Sequence, residues 1–263
     1  MTRRLLTAAG LLGPAVALAF PLPPLAPAAE VRSIAGELDL PSVLPPTGPA
    51  PVPLARMAFP AAALKGYAAD VPIADIRKAE NAEKFRFRRA VLAVLDECRE
   101  GWANDGRQLR PTLPADISIA TKADLQREQD VIAFRVTRLE AERVKLDALE
   151  SLREREPKRW QAHYDLARAE LAARLAMMHE YNLLLGQARQ ENLPALDPAR
   201  HTGYRLRPAD RMTGRGDVRA LAREAKTGFQ AVIENHPDTP WAVAARWALA
   251  APPGLAWEPV GKE

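Results

Sequence analysis

The chain has one cysteine among its 263 residues, Cys98, so no internal disulfide can form even in an oxidising compartment, and packing has to supply the stability. It lacks an uninterrupted apolar run long enough to cross a membrane. Leu5 to Phe20 is broken by Gly13 and Pro14, whereas a spanning helix needs about 20 apolar residues. It lacks a strong charge of either sign. The formal +4 falls to +2 once Arg3 and Arg4 are removed with an export signal, and acids and bases are finely mixed. That balance argues against nucleic acid or an anionic membrane as a partner. Common catalytic signatures are missing too. None of Ser33, Ser42, Ser118 and Ser151 sits in a Gly-x-Ser-x-Gly elbow. Gly214-x-Gly216 has neither a third glycine nor a preceding strand, so it is no phosphate loop. His179-Glu180 has no second histidine four positions after His179, and His163 and His179 stand about 24 Å apart along one helix. No catalytic, cofactor-binding or metal-ligating residue is assigned, and no cofactor is expected.

What is present reads first as a targeting segment. Arg3 and Arg4 precede the apolar run, and small-residue cleavage patterns follow at Ala17-Leu18-Ala19 and Ala26-Pro27-Ala28. Residues 1–28 are expected to be a signal peptide that sends the chain to the periplasm or beyond. Residues 29–72, centred on "LPSVLPPTGPAPVPLAR", are expected to form a proline-rich arm of low order, because prolines deny the backbone regular hydrogen bonds.

From residue 73 the pattern turns helical. Ile76, Phe87, Val91, Val94, Leu95, Cys98 and Trp102 recur three or four apart, which predicts one amphipathic helix ended by Asn104, Gly106 and Pro111. Cys98 falls on that apolar stripe and reads as a small core residue. Thr121 with Asp124 resembles a capping box, although Pro114 could start the helix earlier, and Leu125, Ile132, Leu139 and Leu146 then recur every seven residues. The alternate positions Gln129, Val136, Arg143 and Glu150 are mostly polar, so this helix is expected to pack within its own chain rather than zip to another. Pro157 breaks it, and Trp160, Tyr164, Ala167, Leu171, Leu175, Met178, Tyr181 and Leu185 mark a second long helix. A short connection between two rods of about 50 Å predicts an antiparallel hairpin. Leu166, Met177, Leu183 and Leu184 lie off that stripe, so the second rod needs covering on more than one side. Residues 73–191 are therefore read as a bundle, and 192–216, punctuated by prolines and glycines, as an irregular linker.

In the tail, Asp217 can cap a helix through Phe229 that Pro237 ends, and Thr239 with Pro240 opens another. Ala225, Phe229, Val232 and Pro237 stand as in the second helix of a tetratricopeptide-type repeat, and "HPDTPWAVAARWALA" is similar to repeat junctions of exported bacterial envelope proteins. The resemblance covers about residues 217–251, and the Trp-x-x-Leu-Gly-x-x-Tyr pattern of a first repeat helix is missing upstream. It implies one degenerate repeat and protein–protein interaction.

The fold expected is thus all-α: a long antiparallel hairpin, a third helix, and a repeat-like pair spanning 217–263. The function expected is a non-catalytic scaffold of the cell envelope that binds a protein partner. Its candidate surface is Phe229, Trp241, Trp247 and Trp257, with tail core as the competing role for the tryptophans. The alternative is a ligand-binding or sensory bundle with a pocket among Trp160, Tyr164 and Tyr181. Three further motifs read as structural: Arg215-Gly216-Asp217 as a chance tripeptide, "KFRFRRA" as a helix with Phe87 inward and its arginines in water, and Asn182 as a polar group fixing helix register.

Overall fold

The computed structural model describes residues 24–40, 52–103 and 109–261, with the backbone alone for 100–103. Most of the expected signal peptide, the centre of the proline-rich stretch, the Asn104–Gly106 stop signal and the Trp102 side chain lie outside the described residues. The helices are α1 (Ala28–Glu37), α2 (Ala61–Leu64), α3 (Ile73–Arg77), α4 (Arg86–Ala103), α5 (Ile119–Asp147), α6 (Lys158–Arg189), α7 (Asp217–Asn235) and α8 (Pro240–Ala250). The strands are β1 (Thr112–Pro114), β2 (His201–Ala209) and β3 (Gly254–Gly261).

α5 and α6 form the expected hairpin, joined by a 3-10 turn over Glu150–Arg155 and opened again by Pro157 at the N-cap of α6. Their polar positions tie the rods together antiparallel. Gln129 Nε2 donates to the Asn182 carbonyl (3.0 Å) while Gln129 Oε1 accepts from Arg189 (2.7 Å). Arg143 reaches Glu224 on α7 at 2.8 Å. The residues that spoil a self-associating heptad are therefore the bonds of an intramolecular one. The start of α5 differs from expectation: Ser118, not Thr121, is the N-cap, and its hydroxyl accepts from the Thr121 N–H.

α6 is the axle. Its Trp160–Leu185 stripe enters one hydrophobic cluster with α4, α5 and the sheet, while Ala162, Leu166, Ala169 and Ala172 enter a second with α1, α7 and α8. A helix apolar nearly all round has to be buried nearly all round. The single helix expected over 73–104 is divided instead into α3 and α4. Arg88 in "KFRFRRA" is buried rather than solvated: it pairs with Asp70 (2.9 Å) and Glu156 (2.7 Å), with its guanidinium 5.3 Å from the Trp160 and Phe85 rings. Asn182 holds the hairpin through its backbone carbonyl, and its side-chain Oδ1 has no hydrogen bond among the described residues.

Three expectations about low order or helix are corrected. The 29–72 arm contributes α1 and the 54–67 segment to the core: Val31, Ile34, Leu54, Phe59, Leu64 and Tyr67 are all buried in the second cluster. The 192–216 linker contains β2, and the tail contains β3, so the fold is mainly helical with a small antiparallel sheet in the order β1-β2-β3. Register sets Leu206 opposite Trp257 and Arg205 opposite Glu258, which turns Leu113, Tyr204, Leu206, Leu255 and Trp257 onto the bundle. The "NHPDTP" corner is as expected. Asp238 takes a left-handed φ of 56°, Thr239 caps α8, and Pro240 sits at its first turn. Asp217 starts α7 but makes no side-chain cap.

Candidate functional site

The tail does not present its aromatics. Trp241 is fully buried (0 % exposed) and its Nε1 donates to His163 Nδ1 at 3.3 Å. Phe229 is buried in the second cluster, Trp257 is buried with its Nε1 bonded to the Leu184 carbonyl, and Trp247 is only partly exposed against the second cluster. Of the surface expected from Phe229, Trp241, Trp247 and Trp257, all but the half-buried Trp247 is therefore interior, which is the competing core role of the tryptophans. The reason is that α7 and α8 turn Phe229, Trp241 and Trp247 toward α1 and α6, while β3 lays Trp257 on α6, each full burial of a large apolar side chain being worth about 1.5–3 kcal/mol.

Most of the exposed large apolar side chains among the described residues lie elsewhere, on α5. Leu125, Ile132, Val136, Leu139 and Leu146 face the bundle and are buried. On the opposite side Val131 (45 % exposed), Phe134 (65 %) and Val144 (70 %) stand in solvent, joined by exposed Ala123, Thr137 and Ala141. Positions 123, 127, 130, 134, 137, 141 and 144 repeat four and three apart, so they form one seam about 32 Å long. Arg127 and Asp130 belong to that seam, and Asp124, Arg138 and Lys145 flank it, all exposed. α5 thus has two faces with heptad spacing, of which the described residues cover one. The signal was in the sequence, since Phe134 sits between charged residues where the inward heptad leaves no place for it.

A second feature is a polar cluster where α1 and the 61–70 segment meet α6. Arg159, almost fully buried, donates to Glu37 Oε1 (2.6 Å) and to the Tyr67 carbonyl (3.1 Å). His163 Nε2 meets Glu37 Oε2 at 2.8 Å. Because Trp241 donates to Nδ1, neutral His163 carries its proton on Nε2 and donates it to Glu37. Burial, opposed by Glu37 and reinforced by Arg159, holds the His163 pKa below its usual value. Burial pushes Glu37 up, yet the His163 hydrogen bond and the Arg159 ion pair outweigh it and hold the carboxyl low. Beside this lies a parallel set, in which His236 bridges Asp165 (2.9 Å) and the Tyr67 hydroxyl (2.9 Å) and Arg153 forks onto Asp165 through two 2.6 Å bonds. His236 therefore bonds side chains of other elements rather than the free carbonyls of its own helix end. In these two sets the Glu37 and Asp165 carboxylates face the Arg159 and Arg153 guanidinium groups.

A half-open cleft of about 240 Å³ borders this cluster, with Ser33, Glu37 and Arg159 as polar lining and Val71, Ile73 and Trp160 among the apolar lining. Of the three aromatics expected around a pocket, only Trp160 reaches it. Tyr164 stacks on Phe87 at 5.2 Å, and Tyr181 donates to Glu128 while accepting from the Arg110 N–H. No group of three metal-ligating side chains gathers among the described residues. Cys98 is buried, and burial pushes its thiol up to about 12, so it stays a protonated core residue.

The chain matches no protein-family model, no curated protein and no solved structure.

Proposed function

We propose that the protein is an exported helical scaffold of the cell envelope that docks a protein along the outer face of α5. The observation that carries this is the exposure of Phe134 and Val144 on one seam of α5, with Val131 on its flank, in a molecule that buries Phe229, Trp241 and Trp257. Rigid helices backed by a packed core, presenting apolar anchors among charges, suit helix-to-helix recognition. The export signal and the repeat-like α7–α8 pair support the envelope setting, with α7 and α8 bracing α6 rather than meeting the partner. The test is affinity capture from envelope extracts with wild-type bait and with Phe134→Asp and Val144→Asp baits. Loss of the same specific partner in both variants, with unchanged thermal melting, supports the reading; undiminished capture removes it.

The ligand-binding alternative is favoured by one observation, the cleft beside Glu37 and Arg159. It predicts that the fluorescence of the Trp160 wall responds to an envelope metabolite and that Arg159→Met abolishes the response.

A further inference from the structure

We infer that the outer face of α5 pairs antiparallel with α5 of a second copy of this chain. This rests on reading that face as a docking surface, and the argument for a second copy comes from its charge pattern. A parallel pair would stack Arg127 on Arg127 and Asp130 on Asp130 along the seam, like charge on like. An antiparallel pair with its two-fold axis level with Arg135 and Val136 avoids this. There Phe134 lies beside the axis, level with the partner's Thr137, and Val144 packs on the aliphatic stem of the partner's Arg127. At both ends Asp124 meets the partner's Lys145, opposite charges that are half or more exposed in one copy (50 % and 63 %). Moving the pair by one heptad toward the C-terminus would set Arg138 on Arg138 and Glu140 on Glu140, so charge disfavours that register.

The area suits reversible association. A seam about 32 Å long and 10 Å wide on each copy, with its flanking side chains, buries on the order of 1,000 Å², the lower end for specific contacts. Dimers are then expected at micromolar concentrations.

Sedimentation equilibrium of the exported chain over about 1–200 μM is expected to show monomer and dimer in exchange. Phe134→Asp is expected to leave only monomer, with the melting temperature unchanged. Asp124→Lys and Lys145→Asp should each weaken the dimer about tenfold, and the double variant Asp124→Lys/Lys145→Asp should restore it. In one copy the two positions lie about 32 Å apart along the helix, so restoration cannot arise within a single chain. A wild-type chain monomeric at every concentration overturns the inference, and so does a double variant no tighter than its singles. If the wild type is monomeric while Phe134→Asp still abolishes capture of a different protein, docking stands without self-association. If Phe134→Asp alters neither readout, both readings fall.

Discussion

Trp241, His163, Glu37 and Arg159 join α8, α6 and α1 through one line of hydrogen bonds, and each bond limits what its neighbour can do. Protonating His163 at Nδ1 would point a donor at the donating indole of Trp241, besides adding a buried charge. The folded chain therefore binds this proton more weakly than the unfolded chain, whose histidine titrates near the usual 6.5. Glu37 and Asp165 are also held below their usual values of 4.5 and 3.8. In all three cases the unfolded state holds more protons through the titration window, so stability rises with pH. The His163 part is complete above pH 6.5 and is lost as pH falls from there; the carboxylate parts are lost as pH falls below 4.5 and 3.8. Urea unfolding at several pH values should show a falling midpoint from neutral to acid. Trp241→Phe keeps an aromatic ring but removes the donor and part of the buried ring volume, and should cost about 1–3 kcal/mol at neutral pH. It should also flatten the slope just below pH 6.5, because Nδ1 is then free to take the proton. Little of this cluster was legible in advance, because partners such as Glu37 and His163, or Tyr67 and His236, are far apart in sequence and no local pattern joins them.

At the scale of elements, spacing read well wherever one helix faced one core. The α5–α6 hairpin, the α7–α8 corner and the caps of α8 follow from apolar periodicity and local capping chemistry. The strands were missed because β1 is three residues long and β2 lies among prolines and glycines, although Tyr204-Arg205-Leu206-Arg207 alternates with period two. Close approach of α6 and α7 is set at Gly228, where an added Cβ would lie 2.9 Å from the Cβ of Ala169. Gly228→Ala should lower stability by about 1–3 kcal/mol in thermal melts despite its better helix propensity. Gly186→Ala is the control: its Cβ would meet only the Gln129 Nε2 at 3.4 Å, an ordinary van der Waals contact, so propensity is expected to dominate and stability to hold or rise by up to about 1 kcal/mol. The N-terminal edge carries its own consequence. Ala26 N–H bonds the Phe59 carbonyl (2.9 Å) and Leu25 bridges Pro60, so cleavage after Ala28 would remove folded backbone. Under the proposed export, terminal sequencing of the processed chain should therefore find Phe20, after the Ala17-Leu18-Ala19 pattern; an N-terminus at Ala29 would contradict this.

Across the whole molecule, the described N-terminal segment and the tail are not appendages to a hairpin. α1, the 54–67 segment, α7 and α8 cover the face of α6 that the hairpin leaves open. Removing everything after Asn192 should therefore expose Leu166, Ala169 and Ala172 and the first cluster beneath Trp257, giving an aggregating chain rather than a trimmed scaffold. Light scattering of the truncated chain, beside intact chains carrying α5 surface substitutions, would separate loss of folding from loss of docking. Sequence by itself determined where the helices run, which stripe of each is apolar and where prolines turn the chain, because those depend on residues within one or two turns of each other. Only the tertiary structure decided which apolar stripe is covered. It drew Trp241 and Trp257 inward and left Phe134 in water, because burial depends on which distant elements arrive to share a face.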